Sequence, residues 1–456
     1  MSSDYKTLIV IYVLLGIIIL PITVMDFIKN RRINGISIVR LMFLLIYSVV
    51  PIATFVAISN GQLAYKMGAL DTSEIGIERL YLMAGFSIVG YISLEVGYRT
   101  YFRFRFGKPT DNRRNSDDEL FEKMNLSAYN LSRAAWVMLL ISIFSLLLWA
   151  RGFGGVARVM EYGRIYRSGN TIEGVSNSFG FMKHFVPLSM FSSLVFLALL
   201  RSEKKAIFIF GLIPSLLVSI IYSVSNDGRA PFMMYLVSIL VLWSMVNPSN
   251  TKKKSDKAWM ALVVIVGYFL ISNMDNILSL LRTGVYGSAK TDSDVFSFFA
   301  DEFCFTVRNA QCSQEALQDG ETFRIGKDIL SAIFSIVPSR FTPNWIQRLE
   351  IVNTQYWKAG MIYYGGKPTD IMSAGLYELW YFGIIIWPFL YGVVVKRIDK
   401  YIDRIKVSIY GKILFAQLIY QFAKTVAYAD LALITLNIFY IVIGHLIVKF
   451  FCRRLA

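Results

Sequence analysis

The feature that most restricts this chain is the repetition, from one end to the other, of apolar runs about as long as a bilayer core is thick. An α-helix rises ~1.5 Å per residue, so roughly 20 predominantly apolar residues cross a hydrocarbon layer of about 30 Å. Such runs lie near 7–27, 38–58, 80–98, 132–150, 180–200, 206–225, 231–247, 258–280, 371–395, 412–430 and 431–450. Backbone in lipid must satisfy its own hydrogen bonds, and runs of this length do so as helices. The expectation is an all-α polytopic membrane protein, one transmembrane domain over residues 1–456 with about 11 spans. With 17% charged and 55% hydrophobic residues, the chain has too little polar surface for a water-soluble domain, where about a quarter of residues are charged. No small-x-small cleavage site ends the first run, which is therefore expected to remain as a span. No heptad, low-complexity tract or internal repeat stands out.

A net charge of +16 would suggest nucleic acid in a soluble protein. Here the charge is distributed as membrane topology demands, so no nucleic-acid partner is expected. The segments Lys29 to Ser37, Arg99 to Arg133, Arg201 to Lys205, Lys252 to Lys257, Lys396 to Lys412 and Lys449 to Arg454 are short and basic. The opposite segments are together about twice as long and carry fewer Lys and Arg, which puts the amino terminus outside and the carboxyl terminus inside. Two external loops are long, 151–179 and 276–369. The second contains the apolar patch Ile329 to Val337, bounded by Arg324, Lys327 and Arg340, which reads as an amphipathic helix lying on the outer surface or dipping into it. The cytoplasmic loop 99–133 is polar and mixed in charge over Lys108 to Glu122.

Several kinds of chemistry find no support. The two histidines, His184 and His445, are far apart, and neither HExxH nor CxxC occurs, so no metal and no cofactor is expected. No phosphate-binding glycine loop precedes a helix, and no GxSxG elbow is present. Cys304 and Cys312 share the large external loop, as a disulfide or as two free buried thiols.

Arginine on the external side runs against the charge rule. Arg158, Arg164 and Arg167 lie in the first long loop, Arg282, Arg308 and Arg340 in the second, and Arg229 in the five-residue turn after the sixth run. A guanidinium presents a planar fork of donors that pairs bidentately with phosphate oxygens and stays charged at any relevant pH. The bland alternative is a solvated loop meeting lipid headgroups or acids. Arg229 is distinctive because so short a turn keeps it at the membrane boundary. The tenth run carries Gln417, Gln421, Lys424 and Tyr428 on one helical face. A Lys within a span is costly, so this face is expected to line a polar cavity or meet a partner, unless Lys424 snorkels outward.

The layout resembles the bacterial O-antigen polymerases, the oligosaccharide repeat-unit polymerases related to the O-antigen ligases. The turn Ser225 to Arg229 resembles a small-residue plus Gly-Arg signature of that family, and Arg158 to Gly169 its Arg-x10-Gly loop pattern. The segment from Lys367 to Gly383 is similar to the region where the family's next span begins after the large loop, with acidic Glu378 ahead of an aromatic-Gly pair. Arg308 and Arg348 each have a Gly after eleven residues rather than ten, and the large loop lacks the His the ligases use, which favours a polymerase. The resemblance implies a GT-C-like fold in the bacterial cytoplasmic (inner) membrane. It implies transfer of a growing glycan from undecaprenyl pyrophosphate to an incoming lipid-linked repeat unit outside, without a metal, and a possible chain-length regulator as partner. The reaction needs cations for the leaving pyrophosphate and a general base, for which Asp227, Glu161, Glu378 and His184 are the candidates. The competing reading is a flippase of lipid-linked oligosaccharides.

Overall fold

A computed structural model of the chain describes residues 3–30, 34–59, 70–71, 73–100, 128–167, 179–225, 229–246, 273, 276–277, 279–280, 303–321, 323–337, 341–357, 366–405 and 408–453. Among them there are helices and no strands. In order these are α1 (Ser3–Asn30), α2 (Gly35–Ser59, with a π-helical turn at Leu45–Val49), α3 (Glu74–Arg99), α4 (Ala128–Arg151) and α5 (Val156–Arg167). A 3-10 turn, Gly180–His184, leads into α6 (Leu188–Glu203), followed by α7 (Ile207–Ser225) and α8 (Arg229–Met245). Then come α9 (Phe305–Gln318), α10 (Ile325–Ser335), α11 (Leu349–Tyr356), α12 (Ile371–Leu379), α13 (Gly383–Ile405), α14 (Ile409–Ala427) and α15 (Leu431–Arg453).

Eight stretches among the described residues are long and apolar enough to cross a bilayer: Asp4–Asp26, Gly35–Ser59, Glu74–Arg99, Ala128–Arg151, Gly180–Glu203, Ile207–Ser225, Ile371–Asp403 and Leu431–Phe451. The chain is thus a multi-pass membrane protein. The expected seventh run is α8, of 17 residues, and the tenth is α14, interrupted by Lys412 and Lys424. The eighth run, 258–280, lies outside the described residues apart from a few positions near its end.

The ninth run is not one straight helix. Gly375 and Gly383 would stand about 12 Å apart along a continuous helix. Instead a Cβ built on Gly383 falls 1.8 Å from the Gly375 carbonyl oxygen. The chain doubles back through Trp380, whose φ of 56° is left-handed, and only bare backbones allow so close a return. α12 is therefore a short buried helix folded against the start of α13. Similar contacts seat α13 on α3: a Cβ on Gly97 would meet the Phe389 carbonyl at 2.1 Å and one on Gly392 the Leu94 carbonyl at 2.3 Å. Small residues at such crossings let spans pack without a hydrophobic drive between them.

Two large apolar cores dominate the described residues. One joins α1, α2, α3 and α12 to α9 and α11 of the large loop, and the other gathers α4, α6, α8, α14 and α15. Serines stitch the second half: Ser219 donates to Ser189 (2.9 Å), Ser192 to the Ala135 carbonyl (2.9 Å), and Ser192 and Ser215 share a bond of 3.1 Å. Where α2 begins, Arg40 is buried and pairs with Asp26 and Glu95. At that same end Asp399 accepts the backbone N–H groups of Gly35 (2.7 Å) and Ile36 (3.2 Å). Helices α9 to α11 lie at the opposite end, here called the loop side, where α2 ends and α3 begins.

Cys304 and Cys312 are buried and are not bridged to each other. Cys304 immediately precedes α9 and Cys312 follows eight residues later, a separation of about 12 Å along a helix, beyond the reach of a disulfide. Burial pushes the Cys312 thiol up to about 12.

Candidate functional site

The large loop is held to the spans by a polar network in which nearly every group finds a partner. Asp370 caps α12, its Oδ1 accepting from the N–H groups of Met372 and Ser373 (both 3.0 Å) and from the Tyr47 hydroxyl (2.6 Å). Its Oδ2 accepts from the Ser373 hydroxyl at 2.8 Å. Asn309 of α9 receives the Asn353 amide (2.8 Å) and the Trp357 indole N–H (3.0 Å), and donates to the Pro368 carbonyl (2.8 Å). The Tyr377 hydroxyl donates to Asn353 at 3.2 Å. Gln311 grips the start of α3, accepting from the Asp71 N–H (3.0 Å) and donating to the Asp71 (2.8 Å) and Gly76 (3.0 Å) carbonyls. A satisfied buried network of this kind fixes one arrangement of the elements it joins.

Beside this clamp lies a seam of a different character. Helix α10 buries Asp328, Ser331 and Ser335, at i, i+3 and i+7, and exposes Ile329, Leu330 and Ile333. Its polarity is the reverse of a helix packed on a core in water. The first turn of α10 is tied down by Arg324, whose N–H donates to the Tyr377 carbonyl at 3.1 Å. The Arg324 guanidinium reaches Glu321 (3.0 Å), Asp328 Oδ1 (3.4 Å) and the Gln347 carbonyl (3.2 Å). Asp430 caps α15 through Ala432 N–H (2.7 Å) and takes the Glu350 N–H (3.0 Å) on its other oxygen. Glu378 stands within the electrostatic reach of Asp328, Asp430 and Arg324. It is 0% exposed, and neither of its oxygens has a hydrogen-bond partner; nor do Asp328 Oδ2, Ser331 Oγ or Arg324 Nε. Burial pushes the Asp328 carboxyl up to about 7, Arg324 pulling it down and Asp430 adding to the rise.

Of the four base candidates, Glu378 alone is brought to this seam. Glu161 is exposed on α5, and Asp227 lies outside the described residues. His184, half-buried at the end of its 3-10 turn, has Lys183 and Arg348 as charged neighbours. Of the phosphate-binding candidates, Arg308 is buried, donating to Gln311 (2.7 Å) and to the Tyr356 carbonyl (3.4 Å), with Glu315 at 3.7 Å. Its fork is engaged inside the clamp. Arg158 is exposed on α5, its guanidinium lying over Gly154. Arg229 opens α8, and Arg164 and Arg167 lie in the last turn of α5, but their side chains fall outside what is described. Arg282 and Arg340 lie wholly outside it.

The polar face of α14 turns toward α15. Lys424 donates to Asn437 Oδ1 at 3.0 Å, between the rings of Tyr420 and Tyr428. Gln421 donates to the Asn437 carbonyl (3.0 Å), and Gln417 accepts from the Tyr440 hydroxyl (2.9 Å). A partner helix therefore meets this face, and Gln417 Nε2 is left without a bond. Sequence reasoning missed Asp328 and Ser331, although three polar residues at helical spacing in an apolar segment mark a polar stripe.

No family model, curated protein or solved structure matches the chain.

Proposed function

We propose that the chain is a membrane glycosyltransferase that polymerises lipid-linked oligosaccharide repeat units. It moves the growing glycan from undecaprenyl pyrophosphate to the non-reducing end of an incoming unit, on the external side of a bacterial cytoplasmic membrane. The observation that carries this reading is the seam itself: a buried, unpartnered carboxyl, Glu378, beside the Arg324–Asp328 pair, beneath a helix that turns an apolar face outward. A substrate with a sugar head and a polyprenyl tail needs that combination of polar interior and apolar surround.

In this reading Glu378 serves as the base. As an acceptor hydroxyl oxygen bonds to the anomeric carbon of the donor, its proton passes to the Glu378 carboxylate. The bond from that carbon to the pyrophosphate oxygen breaks, and its electron pair leaves with the pyrophosphate. Arg229, Arg164, Arg167 and Arg158 are the cations assigned to that leaving charge, because Arg308 is engaged in the clamp. The test is incubation of the purified protein with a lipid-linked repeat unit and no nucleotide. A ladder of products is expected; a folded preparation that gives no ladder, or one that needs a nucleotide sugar, refutes the reading.

A further inference from the structure

Helix α10 is inside out for a helix in water: Ile329, Leu330 and Ile333 are 48%, 37% and 55% exposed, whereas Asp328, Ser331 and Ser335 on the opposite face are buried. The outward strip must meet acyl chains, a second copy of the chain or water. The depth of α10 within the bundle decides among them.

The first three spans supply a ruler. Their loop-side ends are level, since the Tyr81 hydroxyl donates to the Asp4 carbonyl (3.1 Å) and Tyr5 stacks on Phe55 with ring centroids 5.6 Å apart. Further in along α3, the Phe86 ring meets that of Tyr381 at 5.7 Å, and a Cβ on Gly90 would fall 1.9 Å from the Met372 side chain. Phe86 and Gly90 lie five and nine residues beyond Tyr81, roughly 7 and 13 Å along the helix. Helix α12 thus lies at those depths, and the N–H of Arg324 binds its Tyr377 carbonyl at 3.1 Å just ahead of α10. The other end of α10 gives the same answer. Tyr12 and Tyr47 are each eight residues from the level ends at Asp4 and Phe55, and so about 12 Å deep. They share that level, because Ser48 donates to the Tyr12 carbonyl at 2.8 Å, and Tyr47 reaches Asp370. The neighbouring Thr369 carbonyl takes the Ala429 N–H at 2.7 Å, and three residues later the Ala432 carbonyl meets the Ser335 hydroxyl of α10 at 3.5 Å. Both ends of α10 are therefore tied to residues about 7 to 13 Å inside the loop-side ends of the spans, within the ~15 Å that one leaflet contributes to the hydrocarbon core.

The surface at that depth is apolar. The Trp380–Phe382 turn beside Phe86 exposes all three rings and leads into α13, where exposed Ile385, Ile386 and Leu390 continue it. Phe323, next to Arg324, is exposed as well. Aromatic rings followed by aliphatic side chains are the order in which a protein meets the headgroup boundary and then the acyl chains. That layer holds no water for α10 to face. Three aliphatic side chains also make a strip far smaller than the roughly 1,200 Å² that a stable contact between two copies buries.

We infer that α10 is immersed in the loop-side leaflet as a half-membrane helix, docking the large loop on the bilayer through Ile329, Leu330 and Ile333 against acyl chains. This holds whatever molecule the protein acts on, so it stands apart from the polymerase reading.

The test uses the unaltered full chain in phosphatidylcholine vesicles that include a phosphatidylcholine bearing a photoactivated diazirine midway along one acyl chain. Adducts are located by mass spectrometry. Exposed Ile75, Leu82 and Val89 of α3 serve as depth marks, since they lie six residues outside Tyr81, beside it and eight residues inside. Ile329, Leu330 and Ile333 should be modified as often as Val89 and roughly tenfold more often than Ile75, because the probe stays within the ~30 Å hydrocarbon core. Two results would overturn the inference. Modification only at the level of Leu82 or Ile75 would put α10 on the membrane surface or in water. No modification of the three while Val89 is modified would mean that protein, such as a second copy, covers the strip. No turnover is read, so a failure here leaves the polymerase reading untouched, and the absence of a glycan ladder leaves this inference standing.

Discussion

Replacing Asp328 by Asn tests the physics of the seam without reference to activity. The carboxyl is 1% exposed and is held at about 7 against an ordinary value of 3.8. A rise of about three units corresponds to about 4 kcal/mol at 1.36 kcal/mol per unit. The sign follows from proton counting: between pH 4 and 7 the folded protein keeps a proton on Asp328 that the unfolded chain has lost, so stability falls as pH rises through that window. Above pH 7 the full cost of the buried carboxylate is present. Asn carries no charge at any pH and retains an oxygen for Arg324. Thermal unfolding of purified wild type and Asp328→Asn, measured side by side from pH 4 to 8, should therefore give similar midpoints near pH 4. The variant should gain with each step upward and be several degrees the more stable by pH 8. The other charged groups facing Asp328, namely Arg324, Lys327, Asp430 and Glu378, are present in both proteins, so the difference reads the Asp328 titration together with its coupling to Glu378. Parallel curves, or a gap that opens in favour of wild type, would refute the assignment of burial as the dominant cause.

Gly383→Ala puts a Cβ 1.8 Å from the Gly375 carbonyl, where neither backbone can give way. It should cost about 3 kcal/mol or more and abolish the monodisperse peak in size-exclusion chromatography, whereas Gly85→Ala, which meets nothing within 4 Å, should not. Lys424→Met removes the donor to Asn437; if the cation serves the substrate cavity, product formation should fall while insertion and folding persist, and an active variant would make the α14–α15 contact purely structural. Arg229→Ala should slow transfer about a hundredfold or more, on a loss of roughly 3 kcal/mol, and Arg229→Lys should recover part of it; a normal glycan ladder from the Ala variant removes Arg229 from the site. Glu378→Leu replaces an unpartnered buried carboxyl by an apolar side chain, so unfolding should require more heat than wild type while polymerisation is lost; retained activity would end the role of Glu378 as base.

The fold was legible in the sequence where one physical rule dominates. Apolar length marks the spans, and the boundary between the runs 412–430 and 431–450 falls at Asp430, whose side chain caps α15. The reversal at Trp380 was not legible. Ile371 to Val395 is predominantly apolar, with Glu378 its one charged residue, and hydropathy does not distinguish a straight span from two helices packed glycine on glycine. Arg308 could be read as cationic but not as engaged, since its partners Gln311 and Tyr356 are set by tertiary packing. The polar face of α14 was read from spacing, and its partner on α15 was not, because nothing local names Asn437. The amphipathic patch at Ile329 was also readable, but which side faces the protein was not, because that is set by packing against α15 and α12.

Two polar assemblies on the loop side share the same low-dielectric surroundings and differ in one respect. Around Asp370 and Asn309, the donors and acceptors are matched across α2, α9, α11 and α12 apart from Thr369 Oγ1 and Arg308 Nε; around Glu378, five polar atoms are not. An unsatisfied buried polar atom costs on the order of 1–3 kcal/mol, and apolar residues of similar volume would remove that cost. A matched network and an unmatched one side by side are therefore not two versions of one structural device. The first fixes the large loop on the spans, and that rigidity permits the second to remain unsatisfied without the helices shifting to relieve it. Helix α10 carries both the buried Asp328 and Ser331 of the seam and the exposed Ile329, Leu330 and Ile333, so one helix joins the unsatisfied polar interior to an outward apolar face.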